Sequence, residues 1–515
     1  MAIELIKESF KVEESRGSSE VQALVETEAY LSPRDIGRIL WVQGKVEILN
    51  SKLVKDKLII SGTTRFNILY NSLDELNNTR IHVQETAKEF REELEILGVD
   101  ENMAAKVKSK IEYIEYNLDE SKLQLIALVN LSGQVEEYKS VEAIKEINSI
   151  DGLEILKETI NYKEVFSRGI SHANVNETIN LGDDYPEIEE VIKFSTKTKE
   201  VESMVADDRI ITSGQVMVNL IYYGGQRINS YKTILPFNHF IEMPGATNEL
   251  DKEVEYEIAE GNYEIMGNEL GERKILNLDI RVKVTGKAFQ DKTRKLIIDA
   301  YSTIEELSIE SEELIIKENL QDINQIEDIN VSIKEIDAMD VLEVGGYASI
   351  LGKSIVENGI EIDGVLSLNV EYIDRISEEI MSYKMDYPFN SIIYEDVDPM
   401  VMVEIESSME NVDYFIKKDS LDIDLKIQLR ANLSKNRRIY TIKEIQETER
   451  LIDKSNAPSI IIYIVQRGDT LWDIAKRYNS TKEDICISNN LDSQDLNPGD
   501  KIIIEKKIEE IALWL

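Results

Sequence analysis

Gly214-Gln215-Val216-Met217-Val218-Asn219-Leu220-Ile221-Tyr222 decides the fold, because it reads as a strand and recurs. Val216, Val218, Leu220 and Tyr222 alternate with other residues, and period two is the mark of a strand with one buried face. The pattern G-x4-N-x2-Y returns as Gly62, Asn67, Tyr70 and as Gly364, Asn369, Tyr372, at steps of 152 and 150 residues. Phe66, Ile68 and Tyr70 alternate in the first copy, and Leu366, Leu368, Val370 and Tyr372 in the third. A fixed long step of this kind signals a repeated structural unit. By parity the asparagine points away from the face that carries the tyrosine. A glycine inside such a strand marks a bulge or a close approach.

Working outward, Ser230-Tyr231-Lys232 with Pro236-Phe237-Asn238 reappears as Ser382-Tyr383-Lys384 with Pro388-Phe389-Asn390. The first copy lacks this anchor, and its charge-rich segment from Gln84 to Leu97 reads as a helix. A long alternating strand follows in every copy: Leu123 to Leu131, Leu276 to Val284 and Leu421 to Leu429. Each copy is expected to close on a short segment, at Ala143–Ile147, Thr303–Leu307 and Thr441–Ile445. The fold class is therefore multidomain and mainly β, with three repeated β-sandwich or open-barrel-like units and modest helix. The shared Gly, Asn and Tyr serve the architecture in this reading, since repeated scaffolding must preserve its own strands and turns.

A different order begins after Pro458. Tyr463-Ile464-Val465-Gln466-Arg467-Gly468-Asp469-Thr470-Leu471-Trp472-Asp473-Ile474-Ala475-Lys476-Arg477-Tyr478 passes from strand through turn to helix. Asp469 or Thr470 can cap the helix, and Leu471, Ile474, Ala475 and Tyr478 share one apolar face. A second helix is expected from Thr481 to about Asn489, then a turn at Leu496-Asn497-Pro498-Gly499-Asp500 and a closing strand at Lys501–Ile504. The order is βααβ. Trp472 reads either as packing or as a ligand contact, and Cys486 as a small buried hydrophobe.

Composition narrows the function. The chain of 515 residues is 42% hydrophobic and 31% charged, so it folds, and into several domains. Its net charge of −40 repels phosphate backbones and anionic lipid, which argues against nucleic acid. The opening Met1–Glu8 carries acids where an export signal would be apolar, and the apolar run Ile460–Val465 is too short to cross a bilayer. With a single cysteine, these features predict a cytoplasmic protein without membrane insertion. His82, His172 and His239 lie far apart in sequence, so neither a metal site nor a catalytic triad is expected, and no cofactor. Gly346 to Ser354 imitates a phosphate-binding loop but has five residues between its glycines where four are required, within a stretch that reads as strand.

The segment 463–504 is similar to the LysM family pattern Y-x-V-x-x-G-D-T-L-W-x-I-A with a P-G-x-x-I-x-I ending, departing from it at Glu505, where proline is frequent. The three repeats resemble the SPOCS domain of spore coats, through the strand pairs above and the entry segment Asp184 to Ile192, with a looser version at Ser32 to Leu40. The resemblance to LysM implies recognition of N-acetylglucosamine glycans or of a protein, in a groove between Gly468, Asp469, Thr470, Leu471 and Trp472 on one side and Asn497, Pro498 and Gly499 on the other. Three SPOCS-like units with a LysM end resemble a clostridial family of spore-coat morphogenetic proteins. That resemblance implies a non-enzymatic adaptor in the mother-cell cytoplasm at the forespore surface, which binds the coat basement-layer ATPase through LysM and contacts other coat proteins. The expected divisions are repeats at 1–150, 151–308 and 309–447, a linker at 448–460, LysM at 461–506 and an apolar tail at 507–515. A peptidoglycan-binding cell-wall or cortex protein is the alternative.

Overall fold

The computed structural model describes residues 3–32, 36–73, 79–418, 420–453, 458–491 and 493–505. The first six strands are β1 (Glu4–Tyr30), β2 (Ile36–Val54), β3 (Lys57–Leu73), β4 (Thr79–Glu95), β5 (Ala104–Asp119) and β6 (Lys122–Asn148). They form two antiparallel sheets, β1-β6-β5 and β2-β3-β4. Leu123, Leu125, Ala127, Val129 and Leu131 of β6 face Phe66, Ile68 and Tyr70 of β3 across one core, as period two requires. β1 also touches β4 and β2 touches β5, so the two sheets pack face to face as a sandwich whose edges meet.

The same set is built twice more. β7 (Leu153–Asn180), β8 (Glu190–Ala206), β9 (Arg209–Gly224), β10 (Arg227–Glu242), β11 (Asp251–Gly267) and β12 (Arg273–Ser302) form the sheets β11-β12-β7 and β10-β9-β8. β13 (Glu305–Ile333), β14 (Ala338–Val356), β15 (Gly359–Asp374), β16 (Ile380–Ile393), β17 (Met402–Ile416) and β18 (Leu421–Leu451) repeat the plan.

Three readings of the sequence change. The segment expected to be helical, Gln84 to Leu97, lies mostly on strand β4, which pairs with β3 along its whole length. Most of its charged side chains are exposed while Leu94 and Phe90 pack on the core, so ladder pairing overrides helix propensity. The repeats contain no helix among the described residues. Thr303–Leu307 does not close the second set either. β12 ends at Ser302, Thr303 N donates to Gly152 O at 2.9 Å, and Glu305 begins β13, paired with β18. The counterpart of Ile144 and Ile442 is instead Ile297, which shares their cluster.

The motif glycines admit an aromatic ring. Gly62, Gly214 and Gly364 stand directly opposite Phe90, Phe237 and Phe389 on the neighbouring strand. A Cβ on Gly62 or Gly214 would lie 2.6 Å from that ring. Phe90 therefore takes in the first copy the place that Phe237 and Phe389 hold in the other two. The motif tyrosines hold the entry segments: Tyr222 Oη donates to Pro186 O at 3.2 Å, and Tyr70 Oη to Ser32 O.

Two of the motif asparagines join one set to the next, while the third, Asn369, donates to Glu371 Oε1 of its own set at 3.2 Å. Asn67 Nδ2 donates to Ile192 O (2.9 Å) and Asn219 Nδ2 to Leu342 O (3.4 Å). Ser230 Oγ donates to Asn219 Oδ1 at 3.0 Å and Ser382 Oγ to Asn369 Oδ1 at 2.9 Å, which fixes the amide orientation. Trp41, Leu69, Ile192, Ile221, Leu342 and Ile373 then form an apolar cluster drawn from all three sets.

Beside it, at equivalent positions of β2, β8 and β14, stand Trp41, Lys193 and Glu343. Lys193 Nζ lies 2.5 Å from Glu343 Oε2, 3.0 Å from both oxygens of Glu371 and 5.1 Å from the Trp41 ring centre. Burial pushes the Glu371 carboxyl up, against the pull of Lys193.

The first and last strands of each set outrun their sandwich as two-stranded ribbons. β5 leaves β6 at Glu136, for example, while β1 follows β6 to Asn148. The ribbons pack together through Phe10, Tyr162 and Leu314, and again through Ile144, Ile297 and Ile442. Each set thus touches both others, and the three close into one pseudo-threefold body.

Candidate partner-binding site

The carboxy-terminal module contains β19 (Ile460–Ile464), α1 (Leu471–Arg477), α2 (Lys482–Asn489) and β20 (Lys501–Glu505), with β19 and β20 antiparallel. Thr470 caps α1 in a reciprocal pair with Asp473: its Oγ1 accepts from Asp473 N at 3.1 Å while Asp473 Oδ2 accepts from Thr470 N. Thr481 caps α2 through Asp484 N at 3.0 Å. Leu471, Ile474, Ala475, Ile485, Ile502 and Ile504 make the core, with Tyr478 and Cys486 partly buried against it.

Two loops meet at Val465. Its N–H donates to Asp500 O (2.9 Å), and its carbonyl accepts from Gly499 N (2.8 Å). Gly468 and Gly499 have φ of +94° and +98°, a region that disfavours any side chain, and so hold the two turns. Asp469 locks the first loop, where its Oδ2 accepts from Gln466 N at 2.8 Å and from Tyr463 Oη at 2.6 Å. Those bonds, the tyrosine's first, hold its carboxyl below the usual range. Arg477 NH1 completes the lock by donating to Tyr463 Oη at 2.9 Å.

Of the eight expected site residues, Gly468, Thr470, Asn497, Pro498 and Gly499 are exposed and Asp469 is half-exposed. Leu471 and Trp472 are buried. The Trp472 side chain turns away from the loops toward the second ribbon. Its Nε1 donates to Asp299 Oδ2 at 2.8 Å, and its ring meets that of Tyr301 edge-on at 4.9 Å. Lys476 Nζ reaches both Asp299 oxygens at 2.7 Å, and Tyr301 Oη donates to Ser480 O at 2.7 Å. Burial pushes the Tyr301 hydroxyl pKa up, the carboxylates of Glu154 and Asp299 adding to it. These contacts seat the module on the end of β12. Asp299 and Tyr301 carry no motif that would have revealed them.

The remaining candidate chemistry disperses. His82 Nε2 lies 2.8 Å from Ser72 Oγ, and His239 Nε2 lies 2.8 Å from Ser171 Oγ, on different sets. No cluster of three metal-ligating side chains occurs among the described residues. Gly346 to Ser354 lies within β14, paired to β15, so it forms no phosphate cradle. The tail 507–515 lies outside the described residues. The two loops thus present an exposed rim.

Residues 35–119 and 187–266 match the family model for the SipL, SPOCS domain, covering β2–β5 and β8–β11, and residues 463–505 match the LysM domain. No curated protein and no solved structure matches the chain. The chain therefore carries SPOCS domain of the SipL type in its first two β sets and a LysM domain at its carboxy-terminal end.

Proposed function

We propose that this chain is a non-enzymatic adaptor of spore-coat morphogenesis, which binds the coat basement-layer ATPase through its LysM loops and helps the coat localise to and encase the forespore. The carrying observation is the mounting of the LysM module: Trp472 is spent on Asp299 and Tyr301, while the loops at 468–470 and 497–499 stay exposed. A partner held there is held at a fixed place on a body whose three sets can meet further coat proteins, and linked contacts add by avidity. The matched SPOCS and LysM domains support the sporulation setting. No helix among the described residues is long and apolar enough to cross a membrane.

The LysM match also favours a second reading, in which the same loops take an N-acetylglucosamine glycan. One experiment separates the two. Extracts of sporulating cells are passed over the full chain and its Pro498→Trp variant, and both are pelleted with purified peptidoglycan. Pro498 is exposed, so the indole crowds the loops and leaves the Thr470 cap intact. The adaptor retains the ATPase, loses it on Pro498→Trp and does not pellet. Loop-dependent pelleting without a protein partner overturns the adaptor reading.

A further inference from the structure

The sheet β10-β9-β8 turns one face to the core of the second set and the other outward. Ile210, Thr212, Gly214 and Val216 of β9 are buried, so Ile211 and Met217 lie on the outer face, and the residues paired with them across the ladder share it. Met204 and Phe240 flank Ile211, and Ile234 flanks Met217. Met204, Ile211, Phe240 and Ile234 are 53%, 41%, 47% and 56% exposed. Three neighbouring strands thus carry one apolar row with a second behind it, where scattered single exposures would need no explanation.

The other two sets place charge there. At the position of Ile211, counted from the motif glycine, stand Ile59 between Lys52 and Glu93, and Glu361 between Ser354 and Ile392. Where the second set has Met217 beside Ile234, the others have Arg65 beside Ala87 and Ser367 beside Asp386. The fold does not require the apolar rows, since the same ladder is built twice without them.

We propose that this face docks on the same face of a second copy of the chain, giving a reversible twofold dimer. A net charge of −40 makes two copies repel over most of their surface. On this face, however, Arg209 and Lys197 balance Glu202 and Glu242, while Lys199 pairs with Glu410 at 3.6 Å. Asp207 and Asp208 lie in the turn beyond it. Both signs border the apolar rows, so the face turned on itself meets opposite charge, whereas a strongly acidic or basic partner finds no complement. The other two sets lack the face, so each chain offers one and association closes at two. From Arg209 to Met217 the strand runs about 30 Å and three strands span roughly 14 Å. The product is on the order of 400 Å², about half of what a standard interface buries per partner. The pair is therefore weak and concentration-dependent, and it doubles the LysM loops that one assembly presents.

Sedimentation velocity of the full chain over a series of concentrations tests this. The expected result is a shift from monomer to dimer and no further, strengthened by salt, which screens the repulsion between acidic chains. Ile211→Glu and Phe240→Glu introduce the residues that the third and first sets carry at the same places, Glu361 and Glu93, so the strands should keep their circular dichroism. Each variant should stay monomeric at concentrations that pair the unaltered chain. Ile376→Glu, at a side chain 86% exposed in the third set, should leave pairing intact. A chain monomeric throughout overturns the proposal, as does a dimer indifferent to Ile211→Glu and Phe240→Glu, or growth past two copies.

Discussion

Gly214 stands beneath the Phe237 ring, and the space it leaves is the reason for its identity. An added Cβ would sit 2.6 Å from that ring, between paired strands that cannot move apart cheaply. Gly214→Ala should therefore destabilise the protein by about 1–3 kcal/mol, although alanine normally favours folding over glycine. Denaturant unfolding measures this, and Phe237→Leu in the same chain should recover part of the loss. His239 gives a pH prediction. Burial, with the nearby His172 charge, lowers its pKa below 6.5, so the folded state resists protonation. Stability is then present above pH 6.5 and lost as pH falls toward the folded value. His239→Gln should flatten that acid-side decline in Tm, and an unchanged slope would place the decline on other groups.

At the scale of elements, the LysM module depends on Asp299 for its seat. Asp299→Ala removes the acceptor of both Trp472 and Lys476, so Trp472 emission should move to the red and protease should cut more readily between β18 and β19. The three sets should stay intact, as circular dichroism would show. The elements were unevenly legible in the sequence. Alternation revealed β3, β9 and β15 because each buries every second side chain, and the LysM turns were readable because glycine, aspartate and threonine each serve a local backbone need. β4 was missed because it is a charged strand whose identity comes from β3 opposite; the surviving signal was Phe90, read against Gly62. The direction of Trp472 was illegible for a similar reason, since its partners lie 171 and 173 residues away in the chain.

For the whole molecule, three copies of one sandwich would be a string of beads without the contacts that close them. Some of those contacts come from positions the copies share, such as Asn67 and Asn219, and others from positions where the copies differ. Tryptophan, lysine and glutamate occupy one equivalent position in turn, and Glu371 stands where the other copies have Leu69 and Ile221. Such a group can be satisfied only when the three sets meet in one order, a role that buried polar groups serve at a cost in stability. Lys193→Met strands the buried Glu371 carboxylate and the part-buried Glu343, an effect of about 3–5 kcal/mol for a broken buried pair. Native-state hydrogen exchange on this variant gives the most direct test of a closed body. Protection should fall together in β2 and β3, β8 and β9, and β14 and β15, including the first set, whose Trp41 ring faces the lysine. A loss confined to the second and third sets, with β2 and β3 unchanged, would contradict closure.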